Sequence, residues 1–277
     1  MVVVPARAGT QAASLSVTVR IGSIGAVVPP PGTTVWIEGL SLDGAFTVLA
    51  IETRRDGTVI VHRALEEHGS SDSNSGGGVL AACHDPAFTS NEYTAPAPFA
   101  WRFKRASTPS SISPTAAEAA LKRAAGNVVG ADNDCDLEDH VGASHRYLGT
   151  TSKAPNVNAK SVCLSRDGES VVGFGDLASQ LALACWWTQN AVVVEADIQL
   201  NKADHRWAIY PGKACKGSFA VEAVATHEFG HVFGLGHVNE EMHGKLTMSP
   251  LISPCQNSES TLGAGDVMGF TSKYPAD

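Results

Sequence analysis

Residues 227–237 read His-Glu-Phe-Gly-His-Val-Phe-Gly-Leu-Gly-His. The preceding Val221, Val224 and Ala225 are apolar at helical spacing, so the stretch is expected to start on a helix. On a helix His227 and His231 project from one face, one turn apart. Two imidazoles so placed reach a single Zn²⁺ at about 2.0–2.1 Å. Glu228 is the next residue round, beside the metal without ligating it, where a general base for an activated water belongs. The same helix cannot deliver a third histidine six residues beyond His231. The chain must turn first, and Gly234 can take a positive φ without steric cost, so that His237 returns as the third ligand. Three imidazoles leave one coordination position open, as in a catalytic and not a structural zinc site. The expectation is one catalytic Zn²⁺ held by His227, His231 and His237.

The elements that must position these residues are legible in outline. Residues 1–80 read as a small β-rich region: Leu15–Ile21 alternates, and Thr34–Ile37, Phe46–Leu49 and Thr58–Val61 are short apolar runs with Asp56-Gly57 as a turn. Gly69–Gly78 is low-complexity, a linker or a loop tip. Phe99–Phe103 alternates and is expected to be the first strand of a second domain spanning 81–277. Ala117, Ala120, Leu121 and Ala124 form a helical stripe. Ser113-Pro114 supplies its N-cap and N1, or Thr115 with Glu118 a capping box, and Gly126 ends it. Ser170–Gly175 is a short strand. In another, Val192, Val194, Ala196, Ile198 and Leu200 share one face, with Glu195, Asp197 and Gln199 opposite. Strands and helices mix without strict βαβ alternation, which favours α+β.

The 277 residues suffice for one or two domains, and 43% hydrophobic with 17% charged residues is a globular composition. Twenty basic against 28 acidic residues give a net charge of −8, which argues against nucleic acid or anionic lipid as partner. No apolar run reaches the roughly 18 residues of a membrane span, so no membrane insertion is expected. Met1–Pro5 is too short for a signal-peptide core, so an export signal is expected to lie upstream or to have been removed. Cys83, Cys135, Cys163, Cys185, Cys215 and Cys255 form no C-x-x-C pair. An even, widely spaced set reads as three disulfides in a secreted protein. Fifteen connectivities are open; the guess adopted is pairing of neighbours, Cys83–Cys135, Cys163–Cys185 and Cys215–Cys255.

The motif 227–237, followed by Leu246-Thr247-Met248-Ser249-Pro250, resembles the metzincin zinc peptidases, and among them most the secreted bacterial matrixin-like ones. Met248 would be the Met-turn methionine beneath the ligands. Ala196–Asn201 with Trp207 is similar to the family's last strand before the active-site helix. Thr261–Phe270 with Tyr274 is similar to its C-terminal helix, where Asp266 would hydrogen-bond the base of the site. The resemblance covers about residues 98–275. It implies an α+β fold: a twisted, mainly parallel mixed sheet plus active-site and C-terminal helices, preceded by the small β-rich region. Gly173 and Gln199 stand where matrixins place histidines for a structural zinc, so none is expected. Pro250 stands where astacins and serralysins carry tyrosine, and a cysteine-switch sequence is absent. Calcium is common in the family, and Ca²⁺ is a further ion the resemblance allows. The acidic run Asp132–Asp139 lacks EF-hand spacing and reads as a solvated face.

The implied activity is that of a secreted, monomeric, zinc-dependent endopeptidase acting on a protein or peptide substrate, with Glu228 as general base. An extended substrate would pair with a strand edge, assigned by resemblance to Ser170–Gly175. The alternative is a secreted binding protein with a catalytically inert zinc site. A third reading makes residues 1–80 an inhibitory pro-segment.

Overall fold

The computed structural model describes residues 2–4, 17–42, 46–66, 79–212 and 215–276. The low-complexity stretch 69–78 and the start of the alternating run at Leu15 lie outside them. The N-terminal strands are β1 (Val2–Val4), β2 (Thr18–Ile21), β3 (Ile24–Val27), β4 (Thr33–Leu40), β5 (Phe46–Thr53) and β6 (Val59–Glu66). After the short β7 (Thr89–Ser90) come β8 (Phe99–Phe103), helix α1 (Pro114–Gly130), β9 (His145–Thr150), β10 (Val162–Cys163), β11 (Val171–Gly175), β12 (Ala182–Gln189) and β13 (Val192–Asn201). The chain continues through β14 (Arg206–Ala208), β15 (Ser218–Ala220), helix α2 (Val221–Val232), β16 (Leu235–Gly236), α3 (Glu240–His243) and α4 (Ala264–Lys273).

Among the described residues one nine-stranded sheet runs in the order β1-β6-β5-β4-β12-β13-β11-β8-β9. From β13 to β9 neighbouring strands are parallel; β12 runs antiparallel to β13 and to β4. The N-terminal strands therefore continue the sheet of the second half of the chain, with β4 paired to β12 from Ala182↔Leu40 to Thr188↔Thr34. This corrects one expectation. β11, the strand at Ser170–Gly175, lies between β13 and β8, so it has no free edge to offer a substrate. The parallel strand β8 occupies the edge that the resemblance assigned to β11.

Two cores sandwich the sheet. On one face Trp101, Phe103, Trp186, Ala196, Ile198 and Leu200 meet the apolar sides of α1 and α2. On the other, Val35, Ile37, Leu49 and Ile51 of the N-terminal strands share a core with Leu183, Cys185 and Trp187 of β12. The three disulfides pair Cys83–Cys135, Cys163–Cys185 and Cys215–Cys255, the neighbour pairing expected from the sequence. The second of them fixes β10 to β12 inside the second core. No helix among the described residues is long and apolar enough to cross a membrane.

Helix α1 begins at Pro114 with Ser113 as N-cap, the first of the two starts the sequence offered. Thr115 and Glu118 instead receive the Arg105 guanidinium, at 2.7 Å each. Gly126 does not end the helix, which runs on to Gly130 and closes with Ala131 at φ 53°. A mid-helix glycine costs only about 1 kcal/mol relative to alanine. The extra turn is held by Asn127, whose Nδ2 donates to the Ser260 carbonyl at 2.8 Å and to Glu222 at 3.2 Å.

Glu195, Asp197 and Gln199 do lie opposite the first core, but they are buried, bonded to Asn156, Asp167, Gly168, Val171 and Asp176. Glu195 accepts the N–H groups of Asp167 and Gly168 and the Asn156 amide; Asp197 Oδ1 accepts the Val171 N–H at 2.9 Å. Asp197 Oδ2 has no hydrogen-bond partner. Burial, and then the neighbouring Glu195 charge, hold the Asp197 carboxyl well above its ordinary range, against the pull of the backbone donors. A carboxyl raised in the fold lends stability that is full below its ordinary pKa of 3.8 and is lost as pH rises through the raised value. In the metal-free chain the melting temperature should therefore fall as pH rises above 3.8. Asp197→Asn should flatten that slope and add about 1–3 kcal/mol on its alkaline side, measured by thermal unfolding under chelator. An unchanged slope in the variant would refute the assignment.

Candidate metal centre

Helix α2 is buried along its whole length, from Val221 to Val232, between the sheet and α1. Four-residue spacing puts His227 and His231 on one face, and the helix stops at Val232 because the chain reverses at Gly234, with φ 95°. A Cβ there would stand 2.8 Å from the Tyr93 carbonyl oxygen and 2.5 Å from Lys273 Cε, so both the dihedral and the space require glycine. After the turn, β16 pairs antiparallel with β7, and His237 comes back to face the helix.

The three Nε2 atoms converge. They stand 3.0 Å apart for His227–His237 and His227–His231, and 3.1 Å for His231–His237. Nitrogens bound at about 2.0–2.1 Å around a tetrahedral ion lie about 3.3–3.4 Å apart, so a small outward adjustment seats a zinc ion. Among the described residues these three are the one group of three or more metal-capable side chains within reach of a single ion. The rings' outer nitrogens test the fit. His227 Nδ1 lies 2.7 Å from the Thr247 carbonyl and His231 Nδ1 3.0 Å from that of Leu235. A carbonyl only accepts, so each Nδ1 must carry the proton and each Nε2 a lone pair. Lone pairs aimed at one another across 3.0 Å repel, and a cation between them removes the conflict. The donor set fits Zn²⁺.

The supports come from distant parts of the chain. Asp266, fully buried at the start of α4, accepts the N–H groups of Thr247, Met248 and Gly263 at 2.8, 3.3 and 3.0 Å. It thereby fixes the turn whose Thr247 carbonyl orients His227. Burial pushes its carboxyl up to about 6 against those three donors. Met248 is buried beneath the helix, where a Cβ on Gly230 would stand 2.3 Å from its sulfur. The carbonyls freed at the end of α2 are satisfied by two tyrosines: Tyr93 donates to His231 O at 2.7 Å and Tyr274 to Phe233 O at 2.8 Å. Trp186 lies parallel to the His231 ring, 6.2 Å between centroids.

Glu228 is fully buried and neither carboxylate oxygen has a hydrogen-bond partner. Burial pushes its carboxyl up to about 8, with His231 opposing and Glu38 adding to the rise. Glu38, on β4, had no part in the sequence reading. It is buried, and its Oε2 lies against His231 Nδ1. The only available signal was a carboxylate inside the apolar run Val35-Trp36-Ile37-Glu38-Gly39-Leu40. Tyr93 also went unread, because its partner is 138 residues away. The acidic run 132–139 wraps around Asn133, whose side chain holds the Cys135 and Leu137 N–H groups.

Over residues 170–275 the chain matches the family model Peptidase_M10, described as Matrixin. No curated protein matches the chain.

Gly234→Ala should cost about 1–3 kcal/mol of stability from the positive φ alone, and the displaced His237 should lower zinc retention. Denaturant unfolding and metal analysis after dialysis measure both; a variant equal to the parent in both would mean that the turn tolerates a side chain.

Proposed function

We propose that the chain is a secreted zinc-dependent endopeptidase with Glu228 as general base, a reading supported by the match of residues 170–275 to the matrixin family model. The observation that carries the reading is the convergence of three lone-pair nitrogens, 3.0–3.1 Å apart, beside a buried carboxylate on the same helix. Zn²⁺, when bound there, supplies a Lewis acid that acidifies water and stabilises negative charge on the carbonyl oxygen under attack.

The protein's own contribution is proton handling and orientation. Glu228 removes a proton as water attacks the scissile carbonyl, and then delivers it to the departing amine. Its surroundings suit both steps. No hydrogen bond competes for its oxygens, and burial raises its affinity for the proton it must hold between the two transfers. His227 and His231 are held in the ligating tautomer by backbone carbonyls, so no ring has to reorient. Three disulfides and the absence of free cysteines among the described residues support an oxidising, extracellular setting.

One observation favours the second reading, a binding protein with an inert zinc site. His227, His231, His237 and Glu228 are only 0–6% exposed, and the outer edge of β12, the strand over His231, is occupied by β4. A peptide reaches the metal only after some covering segment moves. Hydrolysis of a quenched peptide mixture that chelator abolishes supports the peptidase; no turnover across a broad library supports the binder.

Glu228→Gln should keep stoichiometric zinc and lose about 10²–10⁴-fold in kcat/KM. Substantial activity in that variant would remove Glu228 from its role. His237→Ala should lose zinc on dialysis, and full retention would remove it from the ligand set.

A further inference from the structure

The buried charges around the metal centre are not those of the matrixin-like segment alone. Strand β4, from a part of the chain outside residues 170–275, brings in Glu38. Resting on the metallopeptidase reading, we propose that Glu38 is a positioning residue for the metal ligand His231, holding its imidazole so that Nε2 faces the other two.

The geometry has three parts. First, Glu38 reaches the far side of a ligand and not the ligand position itself. Its Oε2 contacts His231 Nδ1, the nitrogen that points away from the convergence of the three Nε2 atoms. The group of side chains within reach of a single ion contains the three imidazoles and not Glu38. A carboxylate behind a ligating imidazole fixes the ring and strengthens its donation to the metal.

Second, Glu38 is built in. The antiparallel ladder to β12 places it opposite Ala184, two pairs from Trp186, which lies parallel to the His231 ring. On the same face Trp36 donates from Nε1 to Thr188 Oγ1 at 3.1 Å and packs on Tyr93 with centroids 5.2 Å apart. On the opposite face Val35 and Ile37 are fully buried in the second core. The Glu38 backbone therefore has no freedom to withdraw the carboxylate without unpairing β4.

Third, charge requires a partner. A carboxylate with a side chain only 2% exposed is strongly unfavourable unless compensated. The group that Glu38 meets is the Nδ1 of His231, and the same ring's Nε2 is turned toward the other two imidazoles, where a cation would sit. The carboxylate on β4 and the cation site on α2 thus explain each other.

The test uses the full chain with Glu38→Gln, Glu38→Ala and Glu38→Asp. Zinc affinity is read by competition with a chromogenic chelator, and ligand geometry by the visible spectrum of the Co²⁺-substituted protein. Glu38→Ala should weaken zinc binding about 10–100-fold and shift the Co²⁺ bands, the isosteric Gln variant should do so less, and Asp should recover part of the loss. In the zinc-loaded parent, which needs no variant to fold, the His231 Nδ1 proton should resonate far downfield in a histidine-resolved NMR spectrum and move upfield in Glu38→Gln. Zinc affinity within twofold of the parent in both Gln and Ala variants, with an unshifted Co²⁺ spectrum, would overturn the proposal. A rise in peptidase activity with unchanged metal binding would also overturn it, making Glu38 part of a strap over the site. A parent chain that binds no zinc at all would instead sink the metallopeptidase reading beneath it.

Discussion

Three imidazole lone pairs aimed at one point are the constraint around which this molecule is organised. Apolar packing could bury the rings, but it would let them turn. The outer nitrogen of His227 instead faces the Thr247 carbonyl, and that of His231 faces both the Leu235 carbonyl and the Glu38 carboxylate, which leaves no tautomer in which the inner nitrogens of both rings avoid each other. Such an arrangement is unfavourable for the bare polypeptide and favourable around a cation. The fold stores that bias, and its other contacts prevent the rings from relaxing out of it.

Those contacts are long-range. Asp266 lies 19 residues from Thr247, Tyr93 138 residues from His231, and Tyr274 41 residues from Phe233. Each satisfies backbone groups that a helix end or a tight turn leaves open, and each does so in a fully or nearly buried setting where water cannot substitute. The turn at Thr247-Met248 and the turn at Gly234 are therefore pinned from α4 and from the segment preceding β8. Cys83–Cys135 ties that preceding segment to the end of α1, and Cys215–Cys255 ties the start of α2 to the loop that follows Met248. The ligands sit on one helix and one turn, yet their precision is a property of most of the second half of the chain.

That division explains how far the sequence could be read. The triad was legible because its geometry is local: four-residue spacing on one helix and one glycine where the chain must reverse. Helix α1 was legible from Ala117, Ala120, Leu121 and Ala124, and its end was missed because Asn127 is held by Ser260 and Glu222, contacts with no local signature. Alternation placed Glu195, Asp197 and Gln199 opposite the apolar face but could not show their burial, since it reports which side is polar and not whether other segments will cover it. Ser170–Gly175 was assigned as an edge by resemblance alone, and nothing in its own residues reports that β13 and β8 will flank it on both sides. Most of what was unreadable came from the N-terminal strands. Short alternating runs announce a β region, but nothing in them says that β4 will join the sheet beside β12 and carry a carboxylate to His231.

The same strands bear on how the covered centre opens. Separating β4 from β12 would expose Val35, Ile37, Leu183 and Trp187, each buried to 1% exposure or less, together with the ladder hydrogen bonds. Full burial of one such apolar side chain is worth about 1.5–3 kcal/mol, so this cover is anchored by several times the free energy of a single contact. The segment beyond His237 is held differently. Helix α3 has four residues and buries none of them, Met242 is 59% exposed, and its side-chain ties include His243 against Asp85 at 2.9 Å and Glu240, which accepts from Ser249 Oγ. Strand β4 shares a core with the sheet, whereas α3 is held by a few side-chain contacts, so thermal motion displaces α3 before β4. Such a movement leaves Glu38 in place, because β4 is paired along β12 and α3 has no part in that ladder.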